Sequence, residues 1–172
     1  MDGKRNQKGR IGMFEKFGEF DSAEELNAAA EGLKKEGDTE SLIILAEENG
    51  LDKEDAQDYI DGCTQELANE LMAAWGKLDV ECKELKPYEI MEDWVDYIKK
   101  RCTEEPKVAR AVRSKKKSLK GCIAVLLKWS FKNAKPVDKD IMKETGVNAQ
   151  CKLGIPGMGT AKKMITEYYM GE

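Results

Sequence analysis

From residue 22 onward, apolar positions recur at three- and four-residue steps, and capping residues and glycines interrupt them at short intervals. That rhythm predicts a string of helices. The stretch "DSAEELNAAAEGLKKEG" opens with Ser22 and Glu25 in capping-box spacing and closes at Gly37, with Lys34 and Lys35 in the last turn where they suit the helix dipole. "DTESLIILAEENG" runs from Asp38 or Thr39 to Gly50, and "LDKEDAQDYIDG" from Asp52 to Gly62 with Asp55 in the capping-box position. A longer helix follows from Thr64 to about Glu84, with Leu67, Leu71, Trp75 and Leu78 predicted as one buried stripe. Pro87 is placed in the first turn of the next helix, whose Ile90, Met91, Trp94, Val95 and Ile98 share a face, and Pro106 opens a short basic helix. "SLKGCIAVLLKWSFKN" is the most apolar segment; it reads as the most enclosed helix, stopped by Pro136. Near the end, "LGIPGMGTAKKMITEYYMG" predicts a glycine-rich turn and a last helix with Met164, Ile165 and Tyr168 facing inward.

Sustained period-two alternation is missing, so the expected fold class is all-α: a compact bundle of seven to nine helices, with one short extended segment near residues 147–155. A chain of 172 residues suits one domain. The expected organisation is a flexible basic tail over 1–13 and a single helical domain over 14–172. Within it lie acidic helices (19–70), central helices (64–102), basic helices (99–143) and the C-terminal turn and helix (154–170). Since no apolar run reaches the roughly 18 residues that span a bilayer, and the basic start leads into no apolar signal core, an intracellular protein without a membrane partner is expected.

Composition narrows the chemistry. There is no histidine, which removes the commonest general base at neutral pH and the usual zinc and iron ligand. The five cysteines, 63, 82, 102, 122 and 151, are widely spaced without a CxxC, and read as small core residues in a reducing compartment. No catalytic residue, metal ligand or cofactor site is expected. From Asp52 an EF-hand loop would need glycine sixth and glutamate twelfth, where Gln57 and Cys63 stand. A phosphate loop needs Lys and Ser or Thr after Gly159, where Thr160 and Ala161 stand; the dinucleotide pattern fails at Lys162. "IPGMGTAKKMI" does resemble the hairpin of helix-hairpin-helix motifs, which makes Gly157, Gly159 and Lys162 candidate phosphate contacts.

Charge is strongly segregated. Residues 19–70 hold 17 acidic groups against 3 lysines, whereas residues 99–143 hold 15 basic groups against 4 acidic ones. Two partner surfaces follow. Glu47, Glu48, Asp52, Glu54, Asp55 and Asp58 crowd a helix end and the loop after it, where carboxylates can stand in for phosphates in a basic groove of a protein partner. Arg110, Arg113, Lys115, Lys116, Lys117 and Lys120 can track a nucleic-acid backbone or an acidic protein patch.

Four segments together, "FGEFDSAEELNAAAEGLKKEGD", "AEENGLDKEDAQDYIDG", "ARAVRSKKKSLKGCIAVLLKWSF" and "LGIPGMGTAKKMITEYYMG", resemble the PcfK-like proteins of conjugative plasmids and related mobile elements. That family includes anti-CRISPR proteins that inhibit type II-A nucleases. The resemblance implies a non-enzymatic protein in the cytoplasm of a bacterial host, binding a type II-A RNA-guided nuclease, and its guide RNA, so that target DNA is not cleaved. The alternative is an accessory protein of conjugation that binds DNA through the basic segment and the PGMG turn. Oligomeric state is left open, a homodimer included.

Overall fold

The computed structural model describes residues 13–171; the basic-tail expectation therefore falls, but for Met13, outside the described residues. The order of elements is α1 (Ala23–Glu36), α2 (Thr39–Glu48), α3 (Lys53–Ile60), α4 (Glu70–Leu85), α5 (Ile90–Glu104), α6 (Pro106–Arg113), α7 (Leu119–Asn133), β1 (Lys135–Pro136), α8 (Lys139–Glu144), β2 (Lys152–Leu153) and α9 (Met158–Met170). The fold is an all-α bundle of nine helices among the described residues, with one small antiparallel ladder that pairs Lys135 with Leu153 and Pro136 with Lys152. The extended piece expected near 147–155 is thus β2, and its partner is the segment immediately after α7.

The first three helices begin and end where their caps dictate. Ser22 Oγ accepts from the Glu25 amide, Asp38 Oδ1 accepts from the Ser41 amide, and the Asp52 amide donates to Asp55 Oδ2. Gly37, Gly50 and Gly62 end them with positive φ. Their inward faces, Leu26 and Ala30 of α1, Leu42, Leu45 and Ala46 of α2, Ala56 and Tyr59 of α3, close one hydrophobic cluster together with Leu51, Leu67, Ala68 and Ala73. A second cluster joins α4 to α7 with α9. It contains Leu78, Trp94, Ile98, Val108, Val112, Leu119, Leu126, Ile165 and Tyr169.

α4 lies between the clusters, giving Ala73 to the first and Ala74 and Leu78 to the second. This corrects the sequence reading of that helix. It starts at Glu70 rather than Thr64, because Asn69 Oδ1 accepts from the Met72 amide and sets the cap there. Leu67 therefore sits in the loop before α4, and Trp75 faces out, 39% exposed, with its Nε1 donating to Lys99 O. A helix wedged between two bodies must have two thin faces, which is why alanine and glycine replace the expected large stripe. A Cβ at Gly76 would overlap Asn49 O, and one at Gly50 would overlap Gly76 O, so backbone meets backbone at this crossing.

Two further expectations are corrected. Pro87 lies three residues before α5, whose N-cap, Glu89, has positive φ. α7 buries only Leu119, Cys122 and Leu126; Val125 and Phe131 are exposed, so this apolar helix is half covered rather than the most enclosed. α9 turns Ala161, Ile165 and Tyr169 inward, with Met164 and Tyr168 half-buried beside them.

Polar groups fill the seam between the clusters. Arg113, 1% exposed, donates from Nε to Phe20 O, from Nη1 to Ala73 O and from Nη2 to Asn49 Oδ1. Lys77, equally buried, pairs with Glu19 at 2.6 Å and donates to Ser114 O and Lys117 O. Residues 14–21 form a strap across this seam. The Lys16 and Phe17 amides donate to Glu48, the Phe14 ring stacks 5.5 Å from the Arg113 guanidinium, and Asp21 accepts from Ser114 and the Lys115 amide. Arg113→Met strands the acceptors of Phe20, Ala73 and Asn49, and is expected to cost about 3–5 kcal/mol, or roughly 10 °C in Tm. Gly76→Ala is expected to destabilise comparably by forcing α4 off Asn49; thermal melts followed by circular dichroism check both, and an unchanged Tm would contradict the seam's structural weight.

Candidate interaction surfaces

The acidic candidates divide by what their carboxylates touch. Glu48 is 2% exposed and is spent on the strap amides, so it is corrected from surface ligand to structural anchor: its carboxylate accepts from two part-buried N–H groups. Glu47 is half-buried and pairs with Lys53 at 3.3 Å, while Asp52 and Asp55 hold the start of α3. Glu54 and Asp58 are exposed and form no ion pair.

Asp55 and Asp58 line a shallow recess with Thr64, Glu66 and Asn69, and an adjoining recess on α1 carries Glu24, Asn27, Glu31 and again Glu66 together with Lys34 and Lys35, the latter paired with Glu31. The acidic face therefore extends past the predicted cluster to Glu24, Glu31 and Glu66. Hydrogen bonds from its own amide and from Ser22 hold the Glu24 carboxyl below the usual range, and the Lys35 ammonium does the same for Glu31. Glu66 is common to the two recesses, and Asn27 ties α1 to the loop that carries it, donating to Ala68 O and accepting from the Ala68 amide. The seven-residue spacing of Glu24 and Glu31 puts them on one face of α1, a signal present in the sequence; Glu66 reaches them only through the loop between α3 and α4.

The basic candidates are likewise unequal. Arg113 is corrected from ligand contact to seam residue, because burial leaves it no path to a partner. Burial also lowers its guanidinium to about 10, still charged at neutral pH. Arg110 Nη1 donates to both oxygens of Glu70, and Lys117 caps Gly171 O while lying over the Tyr168 ring. Lys115, Lys116 and Lys120 are exposed without an ion pair. At the glycine turn, Gly157 caps α9 and the space around Gly157 and Gly159 is open, but β2 rather than a helix leads into it, so the two-helix hairpin is not formed. Lys162 Nζ lies 5.4 Å from the centre of the Tyr97 ring instead of over the turn.

One buried cluster has electrostatics of the kind active sites use. Glu81 accepts from the Leu119 amide through Oε1, its Oε2 has no partner, and burial pushes its carboxyl up to about 7 despite Lys77 nearby. Its bonded oxygen holds the first turn of α7, which gives it a structural role. No group of three or more His, Cys, Asp or Glu among the described residues is placed to hold a metal, and no helix there is long and apolar enough to cross a membrane. Of the cysteines, Cys102 and Cys122 are buried core residues whose thiols are pushed up to about 12, whereas Cys63 and Cys151 are exposed and correct the uniform core reading.

Compared with known protein families, curated proteins and solved structures, the chain matches none. The surfaces themselves therefore carry the functional argument.

Because the Glu81 carboxyl titrates at about 7 in the fold against 4.5 in the open chain, the folded state binds its proton more tightly. Stability from this group is full below pH 4.5 and is lost as pH rises through 7, by roughly 2–3 kcal/mol. Glu81→Gln, which keeps an acceptor for Leu119, is expected to flatten the stability curve between these pH values in urea titrations; an unaltered slope would contradict the assignment.

Proposed function

We propose that this chain is a non-enzymatic inhibitor of a type II-A RNA-guided nuclease, using its acidic face in the place of nucleic acid. The observation that supports this reading is the concentration of exposed carboxylates without an ion pair on one body: Glu24, Asp58 and Glu66 line two adjoining recesses on α1 and α3, and Glu54 stands exposed on α3. Short helices fixed by caps and a common core hold these charges at set spacings, so little ordering entropy is lost on binding. A nuclease of this type offers two matching targets, a positively charged channel for the guide–target duplex and arginines that read the short recognition duplex. The resemblance to PcfK-like proteins, carried by the four quoted segments, supplies the class of partner.

A second reading, DNA binding in conjugation, draws on Lys115, Lys116 and Lys120, which stand free at the α6–α7 corner. Three lysines make a modest phosphate footprint; each contact neutralised contributes about one unit of salt slope.

The test is target cleavage by guide-loaded type II-A nucleases from several sources with the purified chain in excess. Inhibition is expected, and the triple variant Glu54→Gln, Asp58→Asn, Glu66→Gln is expected to weaken it at least about tenfold, equivalent to 1.4 kcal/mol. Full cleavage throughout would overturn the proposal. For the second reading, replacing Lys115, Lys116 and Lys120 by alanine is expected to leave inhibition within about twofold and to abolish any duplex-DNA retention seen at about 50 mM salt.

A further inference from the structure

Between α7 and α9 the chain leaves the bundle. The segment 134–155 forms β1, α8 and β2, and not one of its residues is buried. Among the described residues, four of the six large apolar side chains that are more than half exposed lie in it, Ile141 59%, Val147 59%, Leu153 67% and Ile155 61%; the other two are Phe131, 85% exposed on the last turn of α7, and Tyr88. The segment is seated, not loose. β1 pairs with β2, the Val137 amide donates to Cys151 O, and Gly154 lies so close to Ser130 O and Ala134 that a Cβ would overlap them. That close approach fixes Leu153 and Ile155 beside the end of α7, where Phe131 projects. The same stretch of chain carries Lys128, Lys132, Lys135, Lys139 and Lys152, all exposed and none ion-paired; Lys143 pairs with Asp140, and the remaining acids, Asp138 and Glu144, leave the stretch 128–155 with an excess of lysine.

A seated, uncovered apolar segment with an excess of free ammonium groups is suited to a partner. We propose that this extension is a docking site for an extended, acidic segment of another protein, one that alternates apolar and carboxylate side chains and adds to the ladder along β2. Among the described residues the ladder has only two strands, so each keeps an outer edge without a strand partner. Pro136 has no amide hydrogen to offer on β1, which leaves β2 as the strand that accepts a third. Alternate side chains of the incoming strand then point to the Leu153, Ile155 and Phe131 side and to the lysines.

The chemistry separates this occupant from the others. Four of the five apolar groups are aliphatic, and only Phe131 could stack on a base, whereas single-stranded nucleic acid is held by aromatic platforms. An anionic bilayer is met by long amphipathic helices, and α8 has six residues. A second copy fits poorly: two extensions face to face would oppose their lysines, and residues 19–70, although acidic, expose no large hydrophobic group to meet this one. The inference goes beyond the proposed inhibition and does not depend on the acidic face.

The probe is a fluorescein-labelled peptide of about a dozen residues alternating Glu with Val, Leu and Phe, titrated against the full chain by fluorescence anisotropy, with methyl NMR shifts recorded in parallel. Micromolar binding is expected, with shifts at Ile141, Val147, Leu153 and Ile155. Leu153→Asp and Phe131→Asp are expected to weaken it at least about tenfold, as is the pair Lys135→Glu, Lys152→Glu, which acts through charge. These side chains are exposed, so an unchanged circular dichroism spectrum shows that the fold persists in each. The variant Glu54→Gln, Asp58→Asn, Glu66→Gln is expected to bind the peptide like the unmodified chain, which separates this site from the acidic face. The proposal is overturned if the peptide does not bind, or if oligoglutamate binds as tightly. It is equally overturned if a single-stranded DNA oligomer, phosphatidylglycerol vesicles or self-association engages the same residues more strongly than the peptide does.

Discussion

Everything in this molecule hangs on the crossing of α4 with the α2–α3 corner and the buried guanidinium of Arg113 beside it. Two hydrophobic clusters of ordinary size would by themselves make two small, marginal units. They become one because α4 contributes to both, because Gly76 and Gly50 let its backbone touch the neighbouring chain, and because Arg113 and Lys77 tie carbonyls from the strap, from α4 and from the α6–α7 corner. Burying two cations is expensive unless their donors are satisfied. Here Glu19, Asn49 and five main-chain carbonyls accept from them, which makes the seam demanding about geometry and intolerant of a missing member.

The same seam explains why charge could be segregated. With basic groups drawn inward where the two bodies meet, the outer faces are free of the constraint to neutralise each other. α1 to α3 present carboxylates around shallow recesses, and the far end, from the close of α7 through β2, presents lysines and an uncovered apolar surface. A protein that carries surfaces of unlike charge on one body is suited to bridging unlike partners, or to engaging one large partner at two places.

The helices were legible in the sequence where local chemistry sets them: Ser22, Asp38, Asp52, Ser118 and Pro106 mark starts, and Gly37, Gly50 and Gly62 mark ends, because caps act within a single turn. What depended on the assembly was hidden. Periodicity presented Leu67 to Leu78 as a stripe, but a helix wedged between two bodies selects Ala73, Ala74 and Gly76, and small residues carry little hydrophobic signal. Arg113 and Glu48 read as surface charges because charged residues are seldom fully buried. Only the strap and Asn49, distant in sequence, reveal them as seam residues. The exposed face of α7 misled in the opposite sense: apolar composition predicts burial, whereas Val125 and Phe131 are uncovered. Glu24 and Glu31 could have been found from their spacing, and Glu66 could not.

The central claim is that the acidic face of α1 and α3 is the working surface toward a guide-loaded nuclease. Hydrogen–deuterium exchange of the chain, alone and in excess type II-A nuclease with guide RNA, tests it most directly. The account predicts slowed exchange at the start of α1, in α3 and through the loop that carries Glu66, with the seam amides unchanged because they are already protected. Exchange in these segments that is identical with and without the nuclease would contradict it.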